Sequence, residues 1–253
     1  MKPVIDLRGK VVLLSGGSRG IGAAAVRALH GAGARVFFTF HQHPERAQAL
    51  AATLDDRVSF ARCELSDQLS LPAIVDQCVA RFGGLDVLVN NAAIYDDNAF
   101  DRPDYDGWRA GWQRTFAVNL FGAADLAWLA MRHMRAHGGG RIVNVASRAA
   151  HRGELRSADY GASKAALINL TKSIARSCAK DGITALAIAP GYVETEMAQA
   201  DLLARRAELE AEVPLRYIAS AEEVGDIIAF ACSPIATYAN GATIDVNGGS
   251  YVR

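Results

Sequence analysis

Short apolar runs alternate with longer amphipathic segments along all 253 residues of the chain. The short runs are rich in β-branched residues, as buried parallel strands are, and the longer segments have the periodicity of surface helices. The predicted strands are residues 11–15, 35–40, 58–62, 87–90, 141–146, 183–189 and 242–246. This alternation predicts an α/β fold, a doubly wound parallel sheet of about seven strands with helices on both faces.

The same pattern predicts one domain over residues 1–253, because no repeat or low-complexity linker interrupts it. The longest helix is expected over about 159–180. The glycines at 138–140 end the helix before the fifth strand, as glycine does at helix C-termini. The segment at about 196–217 is rich in Ala, Arg and Glu and is predicted to form a helical lid over the substrate.

Charge and composition limit the kinds of binding partner, the cellular location and the roles of cysteine that are expected. The 27 basic and 27 acidic residues cancel, so neither nucleic acid nor an anionic membrane is expected as a partner. There is no apolar stretch of the roughly 18 to 20 residues that span a bilayer and no apolar signal region at the N-terminus, so a cytoplasmic location is expected. Cys63, Cys78, Cys178 and Cys232 show no CxxC spacing, which favours buried thiols over zinc or disulfides.

A glycine-rich turn, Ser15-Gly-Gly-Ser-Arg-Gly-Ile-Gly22, follows the first predicted strand and opens a predicted helix. Glycines permit a tight turn and close approach of the backbone to a pyrophosphate, and the helix N-terminus offers unpaired N–H groups. A plain strand-to-helix connection would look similar. The interpretation as a dinucleotide site therefore depends on the motifs further along the chain.

Tyr160 and Lys164 are four residues apart on the longest predicted helix and so share one face. A unit charge about 5 Å away, at an effective dielectric near 20, is worth roughly 3 kcal/mol or about two pK units, so Lys164 is expected to lower the pKa of Tyr160. Tyr160 can then give a proton to a carbonyl oxygen or take one from an alcohol. Ser147, at the end of the fifth strand, can hydrogen-bond the same oxygen. Singly, these residues also fit a cap or an amphipathic surface.

Together these motifs resemble the short-chain dehydrogenase/reductase family, over nearly the whole chain. The first turn is similar to the family's TGxxxGxG with Ser15 for Thr, and Tyr160-Gly-Ala-Ser-Lys164 is similar to its YxxxK. The resemblance implies a single-domain Rossmann fold that interconverts a ketone and a secondary alcohol with a nicotinamide dinucleotide. It also implies that Asn119 holds a water next to the lysine, which makes Asn119, Ser147, Tyr160 and Lys164 the catalytic set.

Three further segments resemble the family's cofactor motifs. Asn90-Asn-Ala-Ala93 is similar to NNAG, with Ala93 in place of a glycine whose loss is expected to crowd the cofactor or shift the backbone. In Cys63-Glu-Leu65, relatives place Asp where this chain has Glu64, which keeps the acceptor for the adenine. Pro190-Gly-Tyr-Val-Glu-Thr195 is similar to PGxVxT, whose Val193 backbone and Thr195 hydroxyl would bind the nicotinamide carboxamide. Ordinary turn and capping roles are the alternative for all three.

The cofactor is expected to be NADP, with NAD as the alternative. The second strand ends in Thr39-Phe-His-Gln42, without the carboxylate that binds the ribose hydroxyls of NAD. Arg19 offers a fork that suits a 2′-phosphate. The predicted cofactor contacts are Gly16, Ser18, Arg19, Gly20, Ile21, Gly22, His41, Glu64, Leu65, Asn91, Ala92, Tyr160, Lys164, Pro190, Val193 and Thr195.

An NADPH-dependent ketoreductase is the favoured function. The alternatives are an NAD-dependent dehydrogenase of a secondary alcohol and a 3-oxoacyl-(acyl-carrier-protein) reductase, the branch that the chain resembles most. A non-redox enzyme of the extended branch is disfavoured, because that branch has a GxxGxxG turn and longer chains. A regulator without chemistry is disfavoured by the complete catalytic set.

The substrate is expected to be a small ketone or alcohol, and its identity stays open. The loop at 148–156 carries three Arg and one His against one Glu, which fits either an anionic substrate or a solvated loop with Arg152 and Glu154 paired. Relatives that use acyl-carrier protein present basic residues where this chain has Gly138 and Asp181, which argues against that acidic partner.

Two further expectations concern metal ions and assembly. The acidic run at 96–106 is interpreted as a solvated loop, and no metal site is expected. The apolar surface of the helix at 159–180 exceeds the one stripe that a sheet covers. Relatives pair this helix and the one near 116–133 across a two-fold axis, so a homotetramer or homodimer is expected.

Overall fold

Seven apolar segments form one parallel sheet in the computed structural model, which describes residues 5–252. The strands are β1 Val11–Leu14, β2 Arg35–Phe40, β3 Val58–Arg62, β4 Val87–Asn90, β5 Gly140–Val145, β6 Ile183–Pro190 and β7 Thr243–Val246. Their order is β3-β2-β1-β4-β5-β6-β7. The predicted doubly wound α/β sheet is confirmed. Residues 1–4 and 253, which the single-domain prediction also includes, lie outside the described residues.

Helices connect successive strands and cover both faces of the sheet. They are α1 Gly20–Gly31, α2 Pro44–Ala52, α3 Leu71–Phe82, α4 Tyr105–Phe116, α5 Ala123–Ala136, α6 Ala149–Arg152, α7 Ala158–Ser177, α8 Gln199–Glu212 and α9 Ala221–Cys232. Val12 and Leu14 of β1 pack with α1, α2 and α9 on one face, and Val11 and Leu13 pack with α3, α5 and α7 on the other. The strand is therefore buried on both sides, as expected of a parallel sheet covered by helices.

Three helical segments differ from the sequence prediction. The helix expected to reach 180 ends at Ser177, and Ala179–Asp181 form a 3₁₀ turn before Gly182, whose φ of 72° reverses the chain. The helix expected near 116–133 is divided, because Ala117–Gly122 form a π-helix between α4 and α5. The predicted lid begins with a 3₁₀ turn at Glu196–Ala198 and continues as α8, which is kinked at Arg205 and ends at Glu212.

Two further features of the fold concern the cysteines and the apolarity of the helices. All four cysteines are buried and carry free thiols, as expected. None of the helices within residues 5–252 has the length and apolarity that crossing a bilayer requires.

Candidate active site

A cleft of about 560 Å³ opens at the carboxyl ends of the strands. It lies where the strand order reverses between β1 and β4, since the connections from these neighbours lead to opposite faces and leave a crevice between them. Every cofactor contact predicted from the sequence lines this cleft, as do Ser147, Tyr160 and Lys164. The sheet thus brings together motifs that are far apart along the chain.

The glycine-rich turn fits closely against the loop that follows β4. Gly16 and Gly20 have φ of 72° and 50°, a region that favours glycine. A Cβ atom on Gly22 would lie 2.0 Å from the carbonyl oxygen of Gly16. The Asn91 amide donates to the carbonyl oxygens of Ser15 and Gly16 at 3.0 and 2.9 Å. The turn therefore presents bare backbone and the N-terminus of α1 to the cleft, the arrangement that accommodates a pyrophosphate.

Ala93 takes the place of a glycine without a backbone penalty. Among residues 5–252, Arg216 is the one non-glycine residue with a positive φ, so Ala93 adopts a conformation open to any residue. The backbone at Ala93 therefore does not require glycine, and the expected crowding of the cofactor by its methyl group stays a prediction. Ala93 lies in the cleft wall beside Ala92, as its resemblance to the NNAG segment implied.

At the end of the cleft next to β2 and β3, Glu64 is held by protein groups. Its carboxylate lies 2.5 Å from Nε2 of His41 and accepts hydrogen bonds from the backbone N–H and hydroxyl of Ser66 at 3.1 and 2.7 Å. Burial tends to raise the pKa of Glu64, but the Ser66 hydrogen bonds and the His41 charge outweigh it and hold this pKa below its usual value. Glu64 and His41 form one wall of the region predicted for the adenosine.

Arg19 meets a second arginine that the sequence prediction missed. The Arg19 guanidinium lies 3.0 Å from the Glu196 carboxylate, and Arg46 of α2 contacts both oxygens of that carboxylate at 2.6 and 2.7 Å. Hydrogen bonds from Arg46 and then Arg19 lower the pKa of Glu196. Two guanidinium groups thus converge on one carboxylate that lines the cleft. No local motif marks Arg46, because its position depends on how α2 packs.

Ser147, Tyr160 and Lys164 meet at the opposite end of the cleft. Ser147 follows β5, and α7 carries the other two. Asn144 of β5 donates to the hydroxyl of Thr171 at 2.8 Å, which fixes α7 against the strand. The Lys164 ammonium donates to the Val145 carbonyl at 2.7 Å and lies 5.7 Å from the centre of the Tyr160 ring. A hydroxyl, a phenol and a buried ammonium are thereby placed in one wall.

Burial dominates the titration of this pair. It raises the pKa of Tyr160 to about 12, with a hydrogen bond to Ser147 acting in the opposite direction, and lowers the pKa of Lys164 to about 7. The pKa of Tyr160 is therefore not lowered by about two units, as the proximity of Lys164 alone would predict. Removing both groups from water disfavours the charged form of each. Among the protein groups alone, Tyr160 is therefore the neutral, proton-donating phenol.

Asn119 lies behind the cleft, in the π-helix. Its side-chain oxygen accepts from the N–H of Ile94 at 2.8 Å, and its amide donates to the Ile94 carbonyl at 3.0 Å and to the Ser163 hydroxyl at 3.3 Å. These bonds tie the loop after β4 to α7. The structure thus places Asn119 next to the catalytic helix and outside the cleft lining.

Several aromatic and charged side chains that were not among the predicted site residues also line the cleft. Tyr95 contacts the edge of the Tyr160 ring with 5.0 Å between ring centres. Tyr192 covers the guanidinium of Arg148, whose Cζ lies 4.8 Å from the ring centre. Glu154 also lines the cleft. Tyr95 comes two residues after the NNAA segment and Tyr192 directly after Pro190-Gly191, and these positions are the signal that could have identified them.

The charged segments pair differently from the sequence expectation. Arg152 lies 3.4 Å from Glu212 of α8 rather than pairing with Glu154, and Arg156 pairs with Asp97 at 2.6 Å. In the acidic run, Asp96 pairs with Arg114, and the Asp104 side chain caps the N-terminus of α4. Within residues 5–252, no group of His, Cys, Asp and Glu side chains is arranged to hold a metal ion.

Comparison with known proteins identifies the family. Residues 16–251 match the family model described as enoyl-(acyl carrier protein) reductase. The chain is 35% identical to the 3-oxoacyl-(acyl-carrier-protein) reductase of Escherichia coli (strain K12), over 98% of this chain and 100% of that protein. It is 38% identical to the cis-4-hydroxycyclohexanecarboxylate dehydrogenase of Sinomonas cyclohexanicum, over 95% and 96%.

A solved structure of a member of one family also matches the chain over nearly its whole length. The short-chain dehydrogenase/reductase of Brucella melitensis, titled glucose/ribitol dehydrogenase, matches with a TM-score of 0.91 and 32% identity, over 98% of this chain and 99% of that one. The chain belongs to the short-chain dehydrogenase/reductase family. It is an oxidoreductase that acts on CH–OH groups of small molecules with a nicotinamide cofactor.

Proposed function

We propose that this protein is an NADPH-dependent ketoreductase. The observation that carries the proposal is the meeting of Ser147, Tyr160 and Lys164 in the wall of a cleft whose other end is lined by the glycine-rich turn. The cleft lining would hold the dinucleotide, which when bound would supply the hydride and, when oxidised, a positive charge. All other steps depend on side chains of the chain itself.

Tyr160 is the proposed proton donor. Its neutral phenol is the form that gives a proton to the carbonyl oxygen as the ketone becomes an alcohol. The Ser147 hydroxyl donates a second hydrogen bond to this oxygen and stabilises the negative charge that develops there. Lys164, one helical turn from Tyr160, supplies the charge that stabilises the phenolate once the proton has left.

Asn119 is the proposed positioning residue. It binds both backbone groups of Ile94, so the loop after β4 is held at a fixed distance from α7. We further propose that it orients a water next to Lys164, through which the proton on Tyr160 is replaced. A side chain that fixes both the loop and the helix keeps the reacting groups in the geometry that catalysis requires.

The preference for NADP rests on the two arginines at the mouth of the cleft. Arg19 and Arg46 already share the Glu196 carboxylate, and guanidinium groups bind phosphate by the same fork geometry. A 2′-phosphate would replace Glu196 between them, with His41 at the same end of the cleft. No carboxylate closes the end of β2 against that phosphate. These features favour NADP over NAD.

A free small molecule is the proposed substrate, in preference to an acyl group on acyl-carrier protein. Asp181 stands where the relatives of that branch carry a base, and it pairs with Arg135 at 2.8 Å. The Arg135 charge offsets the Asp181 carboxylate, so the pair presents no net positive charge where those relatives carry a base. We also propose that the protein assembles as a homodimer or homotetramer through α4, α5 and α7.

A ketone screen tests the function. Purified protein with NADPH or NADH is given cyclic ketones, sugar-like ketones and acyl thioesters, the last both free and on acyl-carrier protein, while the nicotinamide absorbance is followed. We expect ketone-dependent oxidation with kcat/KM at least about tenfold higher for NADPH than for NADH. Cofactor binding without absorbance change on any ketone would indicate a non-redox enzyme or a regulator. A carrier-bound preference above about tenfold would restore the carrier-protein alternative.

A further inference from the structure

Arg148 is a buried cation in the cleft wall, directly after Ser147. Its side chain is only 4% exposed. The terminal nitrogens Nη1 and Nη2 have no hydrogen-bond partner. Arginine stays protonated in proteins, and a buried charged donor without an acceptor is costly. The fold therefore keeps two unused donors beside the proposed reacting groups, which is the arrangement of a binding site for an acceptor.

The neighbouring carboxylates only partly compensate for Arg148. Glu212 lies 3.7 Å from its Nη2, outside hydrogen-bond distance, and is shared with Arg152 at 3.4 Å. Asp201, which also lines the cleft, pairs with Arg205 on its own helix at 3.4 Å. Burial raises the pKa of Glu154, and the charges of Arg152 and Arg148 act in the opposite direction, so Glu154 is a third carboxyl group near Arg148. The balance leaves Arg148 able to attract a negative group.

Tyr192 fixes the orientation of the guanidinium. Its ring lies over Arg148, and its hydroxyl accepts a hydrogen bond from Arg205 of α8 at 3.2 Å. A ring that covers the guanidinium face leaves the edge, with its parallel N–H groups, for an acceptor in the plane. The planar fork of arginine matches the two oxygens of a carboxylate. Tyr192 belongs to the segment that leads into α8, so an acceptor would enter beside the lid.

We propose that Arg148 binds a carboxylate of the substrate, so that the enzyme acts on ketones and secondary alcohols that carry a carboxylate group. The inference rests on the ketoreductase function proposed for the same cleft. A monoanion fits better than a phosphate dianion, because Glu212 already offsets part of the Arg148 charge. A neutral ketone leaves both buried donors unpaired, and sites built to hydrogen-bond a substrate discriminate strongly against analogues that lack the partner.

The test compares oxo acids with their primary amides, which keep the shape and lose the charge. The probes are 2-oxobutanoate, 4-oxopentanoate, 5-oxohexanoate and 4-oxocyclohexanecarboxylate, which vary the distance between ketone and carboxylate. Titration calorimetry measures their binding to the full-length protein with NADP⁺, where a ketone binds without reduction, and again without cofactor. Turnover with NADPH is measured separately on the same probes.

We expect at least one acid to bind about tenfold or more tightly than its amide. Arg148→Leu should bring this ratio close to one, and Arg148→Lys should keep part of it, because lysine supplies charge without the fork. Because Arg152 shares Glu212 with Arg148, Arg156→Leu is the matched control. Arg156 belongs to the same loop, pairs with Asp97 at 2.6 Å and lies outside the cleft lining, so the ratio should stay within about threefold.

Equal binding of acids and amides across the panel would overturn the proposal, and so would a ratio that survives both Arg148 variants. Circular dichroism melting checks that each variant is folded. If Arg148→Leu does not fold, a full ratio in Arg148→Lys is the contradicting result. A preference for acids in binding without turnover of any probe would reject the ketoreductase function and leave the carboxylate site standing. Turnover of amides and acids alike would do the reverse.

Discussion

Lys164 shows how the site places a functional group where folding alone would not. Its ammonium is buried with one hydrogen bond, to the Val145 carbonyl. Burial lowers its pKa from 10.5 to about 7, so native protein and unfolded chain differ in proton binding between these values. The unfolded chain holds the extra proton in that range, so stability rises with pH across it. Burial of the Lys164 ammonium therefore lowers the stability of the native protein at neutral pH.

Replacing Lys164 should remove this dependence on pH. We expect the free energy of unfolding of Lys164→Met, relative to the wild type, to be highest near pH 6 and to fall as the pH rises from about 7 to 10. Urea unfolding at several pH values measures it. Lys172→Met, an exposed lysine on the same helix, is the control and should show a flat difference. A difference for Lys164→Met that is independent of pH would contradict the assignment.

Arg19 tests the cofactor preference at a single side chain. Arg19→Ala should weaken NADPH binding by about 1.5 to 3 kcal/mol, the range for hydrogen bonds to charged groups, and should leave NADH almost unchanged. Fluorescence titration with both cofactors measures it. Arg27→Ala, on the same helix and paired with Glu222 at 2.9 Å, should change neither affinity. An equal loss for both cofactors would show that Arg19 does not contact the 2′-phosphate.

At the level of residues, the sequence predicted what local motifs encode. Ser147, Tyr160, Lys164 and the glycine turn all lie in one cleft, because parallel strands bring their carboxyl ends together. It did not predict the Arg46–Glu196 contact, because α2 and the lid are 150 residues apart in the chain. Nor did it predict that the terminal nitrogens of Arg148 lack a hydrogen-bond partner, which depends on where Glu212 and Tyr192 lie after folding.

The elements themselves were largely readable from periodicity. The predicted limits of β2, β3 and β4 coincide with the observed strands, because β-branched runs end at turn residues. The π-helix at Ala117–Gly122 was missed, since its apolar pattern is close to that of a regular helix. Its functional consequence is the placement of Asn119, whose side chain reaches Ile94 from this widened turn.

The start of α7 is fixed by a buried carboxylate. Asp159 accepts from the Thr115 hydroxyl at 2.8 Å and from the Asn98 amide at 3.2 Å. These bonds join α7 to α4 and to the loop after β4, directly beside Tyr160. A pattern of apolar positions does not show such a connection, because it marks Asp159 only as a polar residue near a helix N-terminus.

On the scale of the whole molecule, a row of aromatic side chains that are half-buried or exposed runs along α4, the π-helix and α5. Trp112 stacks on Phe116 with 5.8 Å between ring centres, and Phe121 and Trp128 are 50% and 53% exposed. The α7 residues Ala165 and Ala166, which suggested an interface in the sequence, are half-buried. Phe121 and Trp128 are thus more exposed than these alanines and are the apolar side chains available for self-association.

Trp128→Glu should therefore weaken the assembly. Placing a charge on this surface should shift sedimentation velocity at micromolar concentration toward smaller species, because a carboxylate in an apolar interface loses its hydration. Leu69→Glu, at a position 94% exposed before α3, is the control and should leave the distribution unchanged. A wild-type protein that sediments as a monomer at this concentration would rule out the proposed oligomer.

The measurement that tests the central claim most directly is the kinetics of Tyr160→Phe with a ketone identified by the screen. The variant keeps the ring that packs against Tyr95 and loses only the hydroxyl. We predict that kcat falls by a factor on the order of 10² to 10⁴, the usual worth of general acid–base catalysis, while the NADPH dissociation constant stays within about twofold. A variant that reduces the ketone at nearly the wild-type rate, with unchanged cofactor binding, would show that Tyr160 is not the proton donor.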